Sequence, residues 1–290
     1  MTNSTAGPMY ALQNVSSKGR GLVATRKISM GTRILSEEPI IRVTEADEAM
    51  FDSQTQLLSI HEQVDALTPA DRSAFLSLYN IYVDDAASQY LGIIRTNALP
   101  LGDNVEEGGI FLNTCLLNHA CDNNAQKSWN ENIKRHTVHA LRDIEKGEEI
   151  TIYYLGVLND RKTRRETLER RFAFTCSYRL CSLPLDQSRE SDRRLNEIVK
   201  LDGLISRDGV LGIVSTPLQA LRYVDQQILL YNEHGSGDVN LPRPFFDAAQ
   251  IAIANGDLAR ARVFAERAVL GWIVLGGDDC PKVLQYRVLS

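Results

Sequence analysis

Asn118-His119-Ala120-Cys121-Asp122-Asn123-Asn124, with Gly147-Glu148-Glu149-Ile150-Thr151-Ile152-Tyr153-Tyr154 further on, are the two stretches on which the reading of this chain turns. The first is a polar loop between apolar runs, Gly109 to Leu117 and Thr137 to Leu141, that crowds Asn, His and Cys together. A loop of that composition serves a ligand or a metal. The second begins as a charged turn, Glu145 to Glu149, after which Ile150, Ile152 and Tyr154 alternate with Thr151 and Tyr153. This period of two predicts a hairpin that delivers a tyrosine to a pocket, with Tyr153 on the opposite face from Tyr154.

Working outward, residues 1–18 are rich in Ser, Asn, Thr and Gly and read as a flexible lead-in with a short edge strand at Tyr10 to Val15. Gly19-Arg20-Gly21-Leu22 opens a strand, Met30-Gly31 turns it, and Thr32 to Leu35 returns. Glu37-Glu38-Pro39 ends that strand, and a third is expected at Ile40 to Val43. The spacing of Met50, Phe51, Leu57, Leu58, Ile60, Val64 and Leu67 is helical. Thr68-Pro69-Ala70-Asp71 has the cap, the proline and the carboxylate of a helix start. Residues 45–94 are therefore expected to be a helical insertion, after which Arg95 to Leu101 resumes the sheet.

The chain has 290 residues, 43% of them hydrophobic, which supports a sizeable core and about two domains. A net charge of −5 argues against general attraction to nucleic acid, and no direct nucleic-acid binding is expected. No apolar run reaches the length of a membrane span and Met1 opens no signal-peptide pattern, so the expectation is a soluble intracellular protein of the nucleus or cytoplasm, without membrane attachment. Five cysteines, an odd number, point to thiols or metal ligands over disulfides. The oligomeric state is left open.

Downstream, Asp160 to Arg171 reads as an exposed charged helix and Ser182 to Ser191 as a polar linker. Helical spacing follows at Leu195, Ile198, Val199 and Leu204 and again from Leu218 to Leu229. Phe245 to Ala254, Asn255-Gly256 and Asp257 to Ala268 form a helix, a tight turn and a second helix, with Ala261 and Ala268 allowing close approach.

Asn-His-x-Cys-x-x-Asn followed by Gly-Glu-Glu-Ile-Thr-Ile-x-Tyr resembles the SET domain of protein lysine methyltransferases, nearest to the SET-and-MYND branch. Gly19-Arg20-Gly21-Leu22 ahead of Ala24-Thr25-Arg26 is similar to that domain's opening, and Phe174-Thr175-Cys176-Ser177-Tyr178-Arg179-Leu180-Cys181 resembles its post-SET segment, with Tyr178 where a cysteine is usual. The cysteines of a MYND finger are missing. The helix pair near Asn255-Gly256 is similar to one tetratricopeptide-like hairpin. The resemblance implies an α+β chain: a β-rich SET fold over residues 19–155 with the insertion at 45–94, a post-SET segment at 156–186 and a helical C-terminal region at 187–290.

It also implies a chemistry, transfer of a methyl group from S-adenosyl-L-methionine to a lysine of a protein substrate, histone or otherwise. By resemblance Tyr154 is the catalytic tyrosine, and Gly19, Arg20, Gly21, Leu22, Asn118, His119 and Phe174 hold the cofactor. Asn97 and Tyr153 are the candidates for substrate contact, although a turn-forming Asn97 is an equal alternative. Cys121, Cys176 and Cys181 supply three of the four thiolates that hold the family's zinc, and Tyr178 leaves the fourth position unfilled. Cys115 and Cys280 read as small buried residues. Ala120 and Asn123 stand where serine and proline are usual, and with Tyr178 they keep a second reading open: a degenerate SET domain acting as a binding module. A SET scaffold turned to a small molecule has no positive sign in the sequence.

Overall fold

The computed structural model describes residues 7–16, 18–44, 54–82, 89–102, 106–156, 159–207, 209–234 and 240–287. Strands β1 (Tyr10–Val15) and β2 (Gly19–Ala24) pair antiparallel, so the short strand expected at Tyr10 to Val15 runs beside the first glycine segment. Gly31 makes the next turn in the left-handed region (φ 79°), where glycine carries no Cβ penalty. β3 (Arg33–Glu37) returns to pair with β9 (Arg135–Ala140), which pairs in turn with β8 (Ala125–Asn130). β4 (Ile41–Thr44), β6 (Glu107–Ile110) and β5 (Leu99–Pro100) make a second small sheet. Short curved sheets wrap one core of Leu22, Ile28, Leu35, Leu117, Val138, Ile144, Ile150 and Ile152. Ile150 and Ile152, read from the sequence as one face of a strand, lie in this core, and Tyr154 packs against it.

Between β4 and β5 lie α1 (Gln54–Asp65), α2 (Pro69–Leu76) and α3 (Gln89–Asn97). Thr68 caps α2 by accepting from the Asp71 N–H at 3.1 Å, as its sequence predicts. Met50 and Phe51, part of the expected helical stripe, lie outside the described residues. The expected return to sheet at Arg95 is corrected. Leu91, Ile93 and Ile94 are buried against Phe75, Val64 and Ile110, so burial carries the helix on to Asn97, and the strand shrinks to Leu99–Pro100.

Two further corrections concern the C-terminal half. Helix α4 (Arg161–Phe172), capped by Asp160, is charged but not wholly exposed, since Arg164 and Leu168 are buried. The expected linker at Ser182 to Ser191 is mostly helix: α5 (Leu185–Arg207) starts inside it, and Ser188 and Ser191 lie on its buried face. Small hydroxyls suit a close helix contact as well as a loop, and composition alone does not separate the two. The boundary drawn at 186/187 therefore falls within a helix. α6 (Gly209–Ser215), α7 (Pro217–His234), α8 (Pro242–Ala254), α9 (Leu258–Gly276) and α10 (Pro281–Tyr286) complete the chain. α8 and α9 form the expected hairpin around Gly256 (φ 74°), with Ala261, Ala265 and Ala268 buried.

The helical region docks on the β8–β9 face through α9. Asp279 seals this seam by an ion pair with Arg33, by accepting from Asn130 Nδ2 at 2.9 Å, and through its carbonyl, which accepts from Asn132 Nδ2 at 2.8 Å. His139 beneath it accepts from Arg33 Nε at 3.1 Å, and His136 packs on Phe111 with ring centroids 4.7 Å apart. Burial depresses the pKa of His136 to about 3 and that of His139 to about 4, with the Lys127 charge adding to the first effect and the Arg33 guanidinium to the second.

Both rings are therefore neutral in the folded chain, whereas the unfolded chain protonates them below about pH 6.5. Between that pH and the folded values the unfolded state binds more protons, so stability falls as pH falls. Chemical denaturation at pH 7, 6 and 5 is expected to show a loss approaching about 2.7 kcal/mol per pH unit from the two residues together. The slope should flatten in a His136→Phe, His139→Gln double variant; an unchanged slope would show that other groups set it.

Candidate active site

Asn118 and His119 lie on β7 (Asn118–His119), which pairs with β10 (Thr151–Ile152) in parallel, Asn118 beside Thr151 and His119 beside Ile152. The hairpin expected here is corrected. The charged turn pivots on Gly147 (φ 87°) and runs antiparallel along β2, the Ala24 N–H donating to Glu148 O and the Ile150 N–H to Leu22 O, before the chain passes beside β7. Period two cannot reveal the partner strand, because side-chain alternation is the same in parallel and antiparallel pairs.

This crossing assembles the site. His119 is 2% exposed, and burial holds its pKa down to about 3, so the ring is neutral. Its Nδ1 accepts from the Tyr154 N–H at 3.0 Å. The phenol of Tyr154 donates to Leu117 O at 2.6 Å, and burial raises its pKa. The group therefore stays a neutral phenol, with oxygen lone pairs left to accept from an amine. Asn118 Nδ2 donates to Glu149 Oε1 (2.8 Å) and to Arg20 O (3.2 Å), which ties β7 to the first glycine loop. Gly21 permits that approach, because a Cβ there would stand 2.7 Å from Asn118 Nδ2. Gly19 adopts φ 74° with open space where a side chain would project.

Three sequence candidates direct their side chains into contacts within the fold. Leu22 is core, 1% exposed, with its carbonyl taken by Ile150, and Gly21 beside it is buried, so the glycine loop's open part is Gly19–Arg20. The Arg20 guanidinium turns away to Ser77, whose carbonyl and hydroxyl it meets at the C-terminal end of α2. Asn97 ends α3 and donates its amide to the carbonyls of Tyr79 and Ile93, both at 2.7 Å. The aromatic candidates do converge. Phe174 lies 6.0 Å from His119 and 6.4 Å from Tyr154 between ring centroids, and Tyr153 lies 5.4 Å from His119.

Sequence reasoning passed over Phe172, whose ring is 5.0 Å from Tyr154, although its spacing of two from Phe174 was a signal. It also passed over Glu149 as a site residue. Arg164 was hidden by its charged neighbours, and Leu168 one turn on marked its face as buried.

Cys121 Sγ lies 3.8 Å from Cys176 Sγ and 3.3 Å from Cys181 Sγ; tetrahedral zinc with bonds near 2.3 Å needs sulfurs about 3.8 Å apart. Three sulfurs are thus gathered, and the ligating atoms of His119, Cys121 and Cys176 fall within 4.8 Å of one another. His119 is nevertheless unsuited as the fourth ligand. Its Nδ1 accepts a backbone N–H, which leaves the ring proton on Nε2, the atom 3.1 Å from Cys121 Sγ. A protonated ring nitrogen donates a hydrogen bond to sulfur and has no lone pair for a metal. Tyr178 sends its phenol to Glu149, and the buried Arg164 guanidinium, 4.0 Å from Cys181 Sγ, is a cation. No described residue supplies the fourth ligand, so the donor set does not fit a four-ligand structural zinc.

The SET-domain family pattern matches residues 19–155. The histone-lysine N-methyltransferase set5 of Schizosaccharomyces pombe is 30% identical over 281 residues, covering 96% of this chain and 82% of that protein. The human histone-lysine N-methyltransferase SMYD3 is 36% identical over 29% of this chain, and the human protein-lysine N-trimethyltransferase SMYD5 is 37% identical over the same share. Those two matches span only 18% and 21% of the relatives' own lengths. With a likeness that runs almost end to end, this chain belongs to the SET-domain family of S-adenosylmethionine-dependent protein lysine methyltransferases, related to the SET-and-MYND branch.

Proposed function

We propose that this chain methylates a lysine side chain of a protein, histone or non-histone, with Tyr154 as the catalytic tyrosine. The reading rests on one observation above all: a neutral buried phenol fixed at both its backbone and its hydroxyl, beside the paired strands that carry Asn118 and His119. S-adenosylmethionine supplies an electrophilic methyl on a sulfonium. Gly19–Gly21, the β7 backbone at Asn118 and His119, and the Phe174 ring are the groups suited to hold it. The open space over Gly19 and the aromatic cluster fit an adenosyl group.

A free lysine amine has a pKa near about 10.4, and an apolar, aromatic entrance disfavours its charged form. With its proton shed, the amine donates N–H to the Tyr154 oxygen, which aims the nitrogen lone pair along the line of displacement. The raised pKa of Tyr154 makes it an orienting group, not a base. Residues 19–155 are proposed to carry the transfer, the post-SET arm to cover the cofactor and the helices from Leu185 onward to frame the peptide. No helix among the described residues is long and apolar enough to cross a membrane, and we place the activity in nucleus or cytoplasm.

Calorimetric titration with S-adenosylmethionine is expected to give saturable 1:1 binding, and incubation with histone and non-histone proteins to give methyl-lysine. Absence of binding would favour the degenerate binding module, to which Ala120 and Asn123 had pointed.

A further inference from the structure

The position at which the three sulfurs lack a partner is that of Tyr178, whose ring packs against the cysteine cluster while its hydroxyl turns to a carboxylate and not to a sulfur. Its hydroxyl donates to Glu149 Oε2 at 2.5 Å, and its ring lies under Lys18 Nζ, 3.3 Å from the centroid. Lys18 also reaches Glu149 at 3.5 Å, and Glu149 holds Asn118 through its other oxygen. Four residues from four parts of the chain meet here: Lys18 ahead of the glycine loop, Asn118 on β7, Glu149 before β10, and Tyr178 on the arm that carries Phe174. We propose that Tyr178 is a positioning residue that ties the post-SET arm to the cofactor loop, so that the order of the arm rests on this tie and not on zinc.

Its physical basis is a charge-assisted hydrogen bond from a phenol to a half-buried carboxylate, together with a lysine that faces both the carboxylate and the ring. The sulfurs remain a packed cluster beside Arg164, inside the Leu155, Leu168 and Phe172 patch. This arrangement holds the arm by side chains that persist under chelation, which a metal-dependent arm would not survive. The consequence for the cofactor rests on the active-site reading above; the consequence for the arm's order does not.

The test therefore reads the two separately, on the full chain. Zinc content is measured on protein purified without chelator, and amide exchange over residues 172–182 is followed without cofactor, before and after chelation, in wild type, Tyr178→Phe and Glu149→Ala. Arm protection is expected to survive chelation in the wild type and to drop in both variants, while exchange in α8 and α9 stays unchanged as a control for folding. Tyr178→Phe should also raise the KM for S-adenosylmethionine about five- to tenfold and leave kcat at saturation within about twofold, since only the hydroxyl is lost. Protection that collapses on chelation, or that persists in Tyr178→Phe, would overturn the proposal.

Discussion

Tyr154→Phe is expected to lower kcat for methyl transfer by about a hundredfold or more while S-adenosylmethionine affinity stays within about threefold. The substitution removes one oxygen. That oxygen donates to Leu117 O and, on our reading, accepts from the substrate amine, whereas the Tyr154 N–H bond to His119 belongs to the backbone and survives. Phenylalanine keeps the packing on Phe172, so the fold should lose only about 1–2 kcal/mol, the cost of leaving one buried carbonyl unpaired. Tyr153→Phe is the control. Its ring packs on the same His119, 5.4 Å away against 5.3 Å for Tyr154, and toward the post-SET arm, but unlike Tyr154 it does not pack against the core of Ile150 and Ile152. Equal losses of kcat in the two variants, measured at saturating cofactor, would mean that the register of this strand has been misread.

How far the sequence reaches can be followed at these same residues. The alternation of Ile150, Ile152 and Tyr154 is local, and so is the capping of α2 by Thr68; both were legible because a few neighbouring residues determine them. The parallel partner of β10 lies far back in the chain and leaves no local mark. Neither does the role of Leu22, which the motif assigns to a ligand loop although its side chain is needed in the core. The end of α3 and the start of α5 were misjudged for a related reason: Asn97, Ser188 and Ser191 have loop-like composition, but tertiary contacts put them in helices. The cysteines were legible as a cluster. What faces the gap between them was not, because the direction of Tyr178 depends on Lys18 and Glu149, remote positions that no spacing rule joins to it.

Gly21→Ala should separate the cofactor site from the fold most sharply. The glycine lies in β2, paired with Gln13, and its φ is not in the left-handed region, so alanine meets no intrinsic backbone strain. The obstacle is contact. An added Cβ would stand 2.7 Å from Asn118 Nδ2, 2.9 Å from Glu149 Oε1 and 3.0 Å from Val15 Cγ2. Two of these three atoms end flexible side chains, so they are displaced and the sheet is not broken. Moving them severs the Asn118–Glu149 hydrogen bond and the Asn118 contact with Arg20 O, which together hold β7 against the glycine loop. The hydrogen bonds lost are worth about 1–3 kcal/mol, so S-adenosylmethionine affinity should fall about ten- to hundredfold with a change of only a few degrees in Tm. Asn118→Ala should give a similar loss by removing the same amide from the other side, and the double variant should be little worse than either, because the two substitutions break one shared contact. Fully additive losses, or cofactor affinity unchanged in Gly21→Ala, would show that the Asn118 amide is not what joins this loop to the cofactor.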